Sequence, residues 1–67
     1  TGNVRISADG DFTIVVRDLL GKIITSQTAY NNTVLDLNEL SVKTGVYLFD
    51  ISNVEGHVVK RVVYTRN

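Results

Sequence analysis

Apolar and polar residues alternate along most of this chain, and the alternation has the two-residue period of β-strands. Val4-Arg5-Ile6-Ser7 opens as a half-buried strand. Asp9-Gly10 follows as a two-residue turn signal with positive φ. Phe12, Ile14 and Val16 then share one face of a second strand, with Thr13, Val15 and Arg17 on the other. Asp18-Leu19-Leu20-Gly21 reads as a type I turn, with Asp at its first position and Gly at its fourth. The Asp18 carboxylate can accept backbone N–H groups, and Gly21 can take the left-handed conformation that rejoins the next strand.

Residues 22–30 form that third strand, with Ile24 as a core contact, and Asn31-Asn32 reads as another tight turn because Asn tolerates positive φ. Leu35 and Leu37 alternate around Asp36 in a short strand, and residues 38–44 read as a loop. Gly45 opens the next strand, where Tyr47, Phe49 and Ile51 point inward and Val46, Leu48, Asp50 and Ser52 share the opposite face. Asn53-Val54-Glu55-Gly56 repeats the logic of the Asp18 turn. The last strand spans residues 57–66, with Val59, Val63, Thr65 and Arg61 on one face and Val58, Val62, Tyr64, Lys60 and Arg66 on the other. Six short strands with regularly spaced turns predict a β-sandwich or a compact antiparallel sheet. The expected fold class is all-β, a small immunoglobulin-like antiparallel β-sandwich of six to seven strands, in one domain over residues 1–67.

Composition sharpens this picture. A chain of 67 residues suffices for one small domain. A domain of this size buries only about 60% of the surface its unfolded chain exposes, so its core is marginal. There is no cysteine, so no disulfide and no cysteine-based zinc site can staple it. Stability must come from sheet packing or from a neighbour. There is no proline, and Val, Ile, Thr and Leu abound, which favours strands. Seven basic residues balance seven acidic ones, so nucleic acid and anionic membranes are not expected partners. No apolar run approaches the ~18 residues of a membrane-spanning helix. The chain opens at Thr1 without a signal-peptide pattern, and we expect it to be a piece of a longer protein that carries its own signal upstream.

Catalytic chemistry finds little purchase. His57 is the single histidine and lies beside a turn, where a solvated loop residue is expected. A triad would need a nucleophile and a carboxylate converging on it. Ser7, Ser26, Ser41 and Ser52 lack a nucleophile-elbow context. Asp9-Gly10-Asp11 lacks the ligand spacing of a calcium loop, and the hairpin reading accounts for it without a metal. Tyr47 and Phe49 read as core, while Tyr30 and Tyr64 sit at strand ends, where packing and exposed recognition both remain open. The last strand has two readings. One is a sheet strand with Val59 and Val63 in the core. The other is an edge strand that offers its backbone to a partner, guarded and steered by Lys60, Arg61 and Arg66.

In this order and spacing, Arg17-Asp18-Leu19-Leu20-Gly21-Lys22, Leu35-Asp36-Leu37, Gly45-Val46-Tyr47 and the basic-apolar stretch 56–66 are informative together. Over nearly its whole length the chain resembles the C-terminal sorting domain of the type IX (Por) secretion system. Three features depart from that pattern. The family's opening Asn-Pro pair is missing, so the module is expected to lack its first few residues. The loop between Leu40 and Gly45 is slightly long, and Tyr64 stands where the family's closing segment often carries a second lysine.

The resemblance implies a non-catalytic secretion signal with no cofactor and no metal. It further implies an outer-membrane translocon as partner and a cell-surface sortase that removes the module and anchors the cargo. The route would run through the periplasm to the cell surface or medium of a Bacteroidota-type bacterium. On this reading Gly56, Lys60, Arg61, Val62, Val63, Tyr64 and Arg66 are the expected recognition residues, and Asp18, Gly21, Gly45 and Tyr47 the structural motif. A marginal core with an unpaired strand also predicts an edge-strand dimer at high concentration. The alternative function is an immunoglobulin-like accessory module for adhesion or carbohydrate binding, which predicts exposed aromatics on one sheet face. A small hydrolase is a third and weaker idea.

Overall fold

A computed structural model describes residues 2–40 and 42–65. Among them there is no helix. Four strands, β1 (Asn3–Asp18), β2 (Ile23–Asp36), β3 (Gly45–Asn53) and β4 (Gly56–Tyr64), form one antiparallel sheet in the order β2-β1-β3-β4. The all-β expectation holds, but the sheet has four strands and is single, not a sandwich of six to seven.

Two of the expected turns are not turns. Asp9-Gly10 lies inside β1 and Asn31-Asn32 lies inside β2, facing each other across one long hairpin. The ladder runs from Ser7↔Asn32 straight to Asp11↔Tyr30, so Ala8, Asp9 and Gly10 oppose Asn31 alone. This is an enlarged β-bulge, a local excess of residues on one strand that bends the ribbon. Both local signals act as their chemistry demands: Gly10 has φ 73° and Asn31 has φ 64°. The Gly10 N–H donates to Oδ1 of Asn31 at 2.9 Å, and the Ser7 hydroxyl donates to Oδ1 of Asn32 at 2.7 Å. Because the excess is an even number of residues, the alternation survives it. Ile6 before the bulge and Phe12, Ile14 and Val16 after it all enter the same core.

The other two turns stand as read. The Asp18 carboxylate accepts the N–H groups of Leu20 and Lys22 at 2.9 Å each, and the Gly21 N–H donates to the Asp18 carbonyl at 3.1 Å. Asn53 likewise accepts the Glu55 N–H at 2.9 Å, in a two-residue loop closed by the Asn53↔Gly56 pair. Gly21 and Gly56 have φ of 89° and 145°, where a side chain would be strained.

On the N-terminal side of the bulge, β1 parts from β3. Only Thr13 to Asp18 of β1 pair with β3, and residues 3–7 pair with β2 alone. That far half of the ribbon folds across the inner face, because Ile6, Leu35 and Leu37 share one buried cluster with Phe49, Tyr47 and Tyr64. Ile51 is only partly buried at its margin, as is Ile24. The ribbon end is tied down by Leu37 N–H to the Gly2 carbonyl at 2.7 Å and by the Tyr64 hydroxyl to Asn38. Loop residue Val42 completes the cluster. A marginal chain thus covers its sheet with its own hairpin in place of a second sheet.

Candidate functional site

β4 is an outer strand. It pairs with β3 on one side, and among the described residues no strand pairs with it on the other. A free edge of this kind displays backbone donors and acceptors to any extended partner. Gly56 through Arg61 are all exposed, Val62 is half-buried and Val63 is 68% exposed. Few native strands are so bare on both faces, and the reason is coverage. The folded-over ribbon buries the β3 side chains Tyr47 and Phe49, but on β4 only Tyr64 is buried.

The register decides which side chains go where. Tyr47↔Val62, Phe49↔Lys60 and Ile51↔Val58 lie on the inner face, and Val46↔Val63, Leu48↔Arg61, Asp50↔Val59 and Ser52↔His57 on the outer. The sequence reading that buried Val59 and Val63 is therefore corrected. Val59 is 53% exposed, and both valines lie on the uncovered side. Tyr64, one of the expected recognition residues and open to exposure by sequence, is 3% exposed and belongs to the core. Arg66 lies outside the described residues. Lys60 sits across from the fully buried Phe49, and its aliphatic stem is suited to cover that ring while its ammonium stays in water.

The structural motif residues sit elsewhere. Asp18 and Gly21 build the β1–β2 turn, at the opposite end of that ribbon from the bulge-side strand ends. Tyr47 is buried and its hydroxyl donates to the Lys43 carbonyl at 2.6 Å, pinning the loop before β3. Gly45 pairs with Tyr64. A Cβ there would meet its nearest atoms at 4.0 Å, so space alone does not require glycine.

Beside β4 runs a groove of about 590 Å³, walled by residues 4–8 of β1 on one side and the β3–β4 hairpin on the other. Arg5 belongs to this wall, as do His57, Lys60 and Arg61. Sequence reasoning missed Arg5. Its place on this wall is created by the ribbon bend, and the nearby Asp9-Gly10 reads in sequence as a chain reversal rather than as that bend. His57 is exposed opposite Ser52 on the outer face. Asp9, in the bulge, and Asp11, just after it, are exposed. Among the described residues no three His, Cys, Asp or Glu side chains converge to hold a metal. Among those residues, too, no buried side-chain nitrogen or oxygen lacks a hydrogen-bond partner. Among the described residues one ion pair bridges the outer face, Arg17 to Asp50 at 3.4 Å.

The arrangement therefore offers backbone edge, apolar side chains and cations, which is equipment for being bound. No curated protein and no solved structure matches the chain. A family model, the secretion system C-terminal sorting domain, matches residues 1–65. Because that match covers nearly the whole sequence, this chain belongs to the Por secretion system C-terminal sorting domain family.

Proposed function

We propose that the free edge of β4 is the surface by which this domain is read during export. Membership of the family makes the chain a non-catalytic secretion signal for a cargo protein, one that engages the type IX machinery and leads across the outer membrane. The finer reading is ours. The outer-membrane translocon adds a strand to β4, after which a cell-surface sortase removes the module and anchors the cargo. The parent crosses the periplasm before it reaches the surface or medium. Residues 1–67 act as one sorting module, with Gly56, Lys60, Arg61, Val62 and Val63 in contact and Tyr64 holding the strand in place.

The observation that carries this reading is the exposure of β4 from Gly56 to Arg61 on an unpaired edge. Strand addition draws affinity from a row of main-chain hydrogen bonds, with side-chain pockets adding selectivity. The same edge is available to a second copy, so an edge-paired dimer is the competing use at high concentration. Light scattering across a concentration series measures it.

A direct test removes an edge donor without touching the core. In an antiparallel ladder, residues alternate between facing the partner and facing away. Counted from the Asn53↔Gly56 pair that closes the loop, the N–H of Val59 faces away from β3. Proline there deletes one edge N–H and spares the β3–β4 ladder. A folded reporter carrying this domain, in a host with the system, should reach the surface. The Val59→Pro version should accumulate in the periplasm while its domain stays folded by circular dichroism. Replacing Lys60 and Arg61 with Glu should slow export less, since rim charges act mainly on encounter rates. Normal delivery of the Val59→Pro reporter would remove the edge from the mechanism.

A further inference from the structure

We infer that the groove beside β4 takes an extended, acid-bearing segment of the export partner, seated as a strand against β4 with its carboxylates toward Arg5, Lys60 and Arg61. The inference rests on the proposed role of the β4 edge and adds the chemistry of what binds there.

Three observations converge. First, charge is unevenly placed. The chain is formally neutral, yet Arg5, Lys60 and Arg61 line this one groove against the single carboxylate of Glu55, with His57 beside them. Among the described residues none of the three cations is ion-paired; the pair that does form joins Arg17 and Asp50, away from the groove. Second, the cations come from two walls. Lys60 and Arg61 are adjacent on β4 and so point to opposite faces, while Arg5 approaches from the overlying ribbon. A strand lying along β4 would place two consecutive side chains opposite Lys60 and Arg61, where opposite charges stabilise and like charges destabilise. Third, the groove has an apolar lining for the alternate side chains of such a strand. Val58, half-exposed, and Val62 face the same side as Ile51 and Phe49.

The same charges disfavour a second copy. Antiparallel pairing of two β4 edges centred on Lys60 and Arg61 would bring these cations of one chain near those of the other. Charged residues on an edge commonly serve to block such self-pairing. An acidic foreign strand turns that block into an attraction.

The test uses the whole 67-residue chain, ¹⁵N-labelled, and a synthetic acetylated peptide of alternating Val and Thr interrupted by a Glu-Glu pair. The Glu-Glu peptide should shift the amide resonances of Val59 and Arg61 together with those of residues 4–8. Its affinity should fall with added salt, and by about tenfold in an Arg5→Glu variant, as expected when a charge contact is reversed. A Lys-Lys analogue should not bind. Equal binding of the Lys-Lys analogue overturns the proposal, as does absence of binding by the Glu-Glu peptide at millimolar concentration. Shifts confined to β4 and indifferent to Arg5→Glu overturn the groove as the seat. Concentration-dependent shifts of the same amides without peptide make a second copy the occupant and also overturn it. If the peptide fails while the Val59→Pro reporter is still retained in the periplasm, the β4 edge stands and only the acidic occupant is lost. If Val59→Pro exports normally, the edge reading itself falls.

Discussion

The hydroxyl of Tyr64, at the end of β4, donates a hydrogen bond to Oδ1 of Asn38, in the turn that follows β2. These residues belong to the two outer strands' ends, with β1 and β3 between them in the sheet order. Their contact exists because the β1–β2 ribbon bends back across the inner face. Asn38 is positioned in turn by its own N–H, which donates to the Asp36 carboxylate at 2.9 Å. The bond therefore links the exposed edge strand to the element that covers the core.

Removing that bond alone should have a measurable but moderate effect. Tyr64→Phe should destabilise the domain by about 1 kcal/mol, the net value of one hydrogen bond. Tyr64→Ala should cost about 3–5 kcal/mol through loss of a buried aromatic. Urea unfolding of the two variants separates them. Loss of export in Tyr64→Ala would then follow from unfolding, and an export defect in a fully folded Tyr64→Phe would instead give the hydroxyl a direct recognition role.

The bulge should depend on Asn31. Asn31→Ala loses the acceptor for the Gly10 N–H and places a residue poorly suited to φ 64° in that conformation. The expected loss is about 1–2 kcal/mol, from the left-handed backbone together with the hydrogen bond. Asn31→Gly should recover part of it, since glycine accepts the backbone but not the bond. A Gly variant less stable than Ala would show that the backbone angle is not the controlling factor.

Phe49 and Val63 make a controlled contrast on the sheet. Phe49→Ala should cost about 3–5 kcal/mol, because its side chain is fully buried. Val63→Ala, on the exposed outer face, should stay within about 0.5 kcal/mol. Thermal melts under one buffer suffice. A large loss at Val63 would mean that the outer face is covered in solution.

The Arg17–Asp50 pair should matter little to stability. Its side chains are 37% and 29% exposed at 3.4 Å separation, so solvent screens it. A double-mutant cycle to Ala should return a coupling of about 0–1 kcal/mol, shrinking with added salt. Coupling well above that range would mark the outer face as less hydrated than its exposure indicates.

What the amino-acid sequence determined on its own was local. Asp18-Leu19-Leu20-Gly21 and Asn53-Val54-Glu55-Gly56 close hairpins because one side chain caps the turn and one glycine accepts positive φ, all within four residues. The strand period and the inward set Phe12, Ile14, Tyr47 and Phe49 were equally legible, because a buried face leaves its mark every second residue. The family pattern was legible too, through the order of these same pieces. Tertiary structure decided the rest. Asp9-Gly10 and Asn31-Asn32 ask for the same positive φ whether the chain reverses or bulges, and only their pairing across the ribbon selects the bulge. On β4, Val58-Val59 and Val62-Val63 put apolar residues on both faces, so no pattern could say which face is buried. The bent ribbon chose it, by covering Tyr64 and leaving Val59 and Val63 in water.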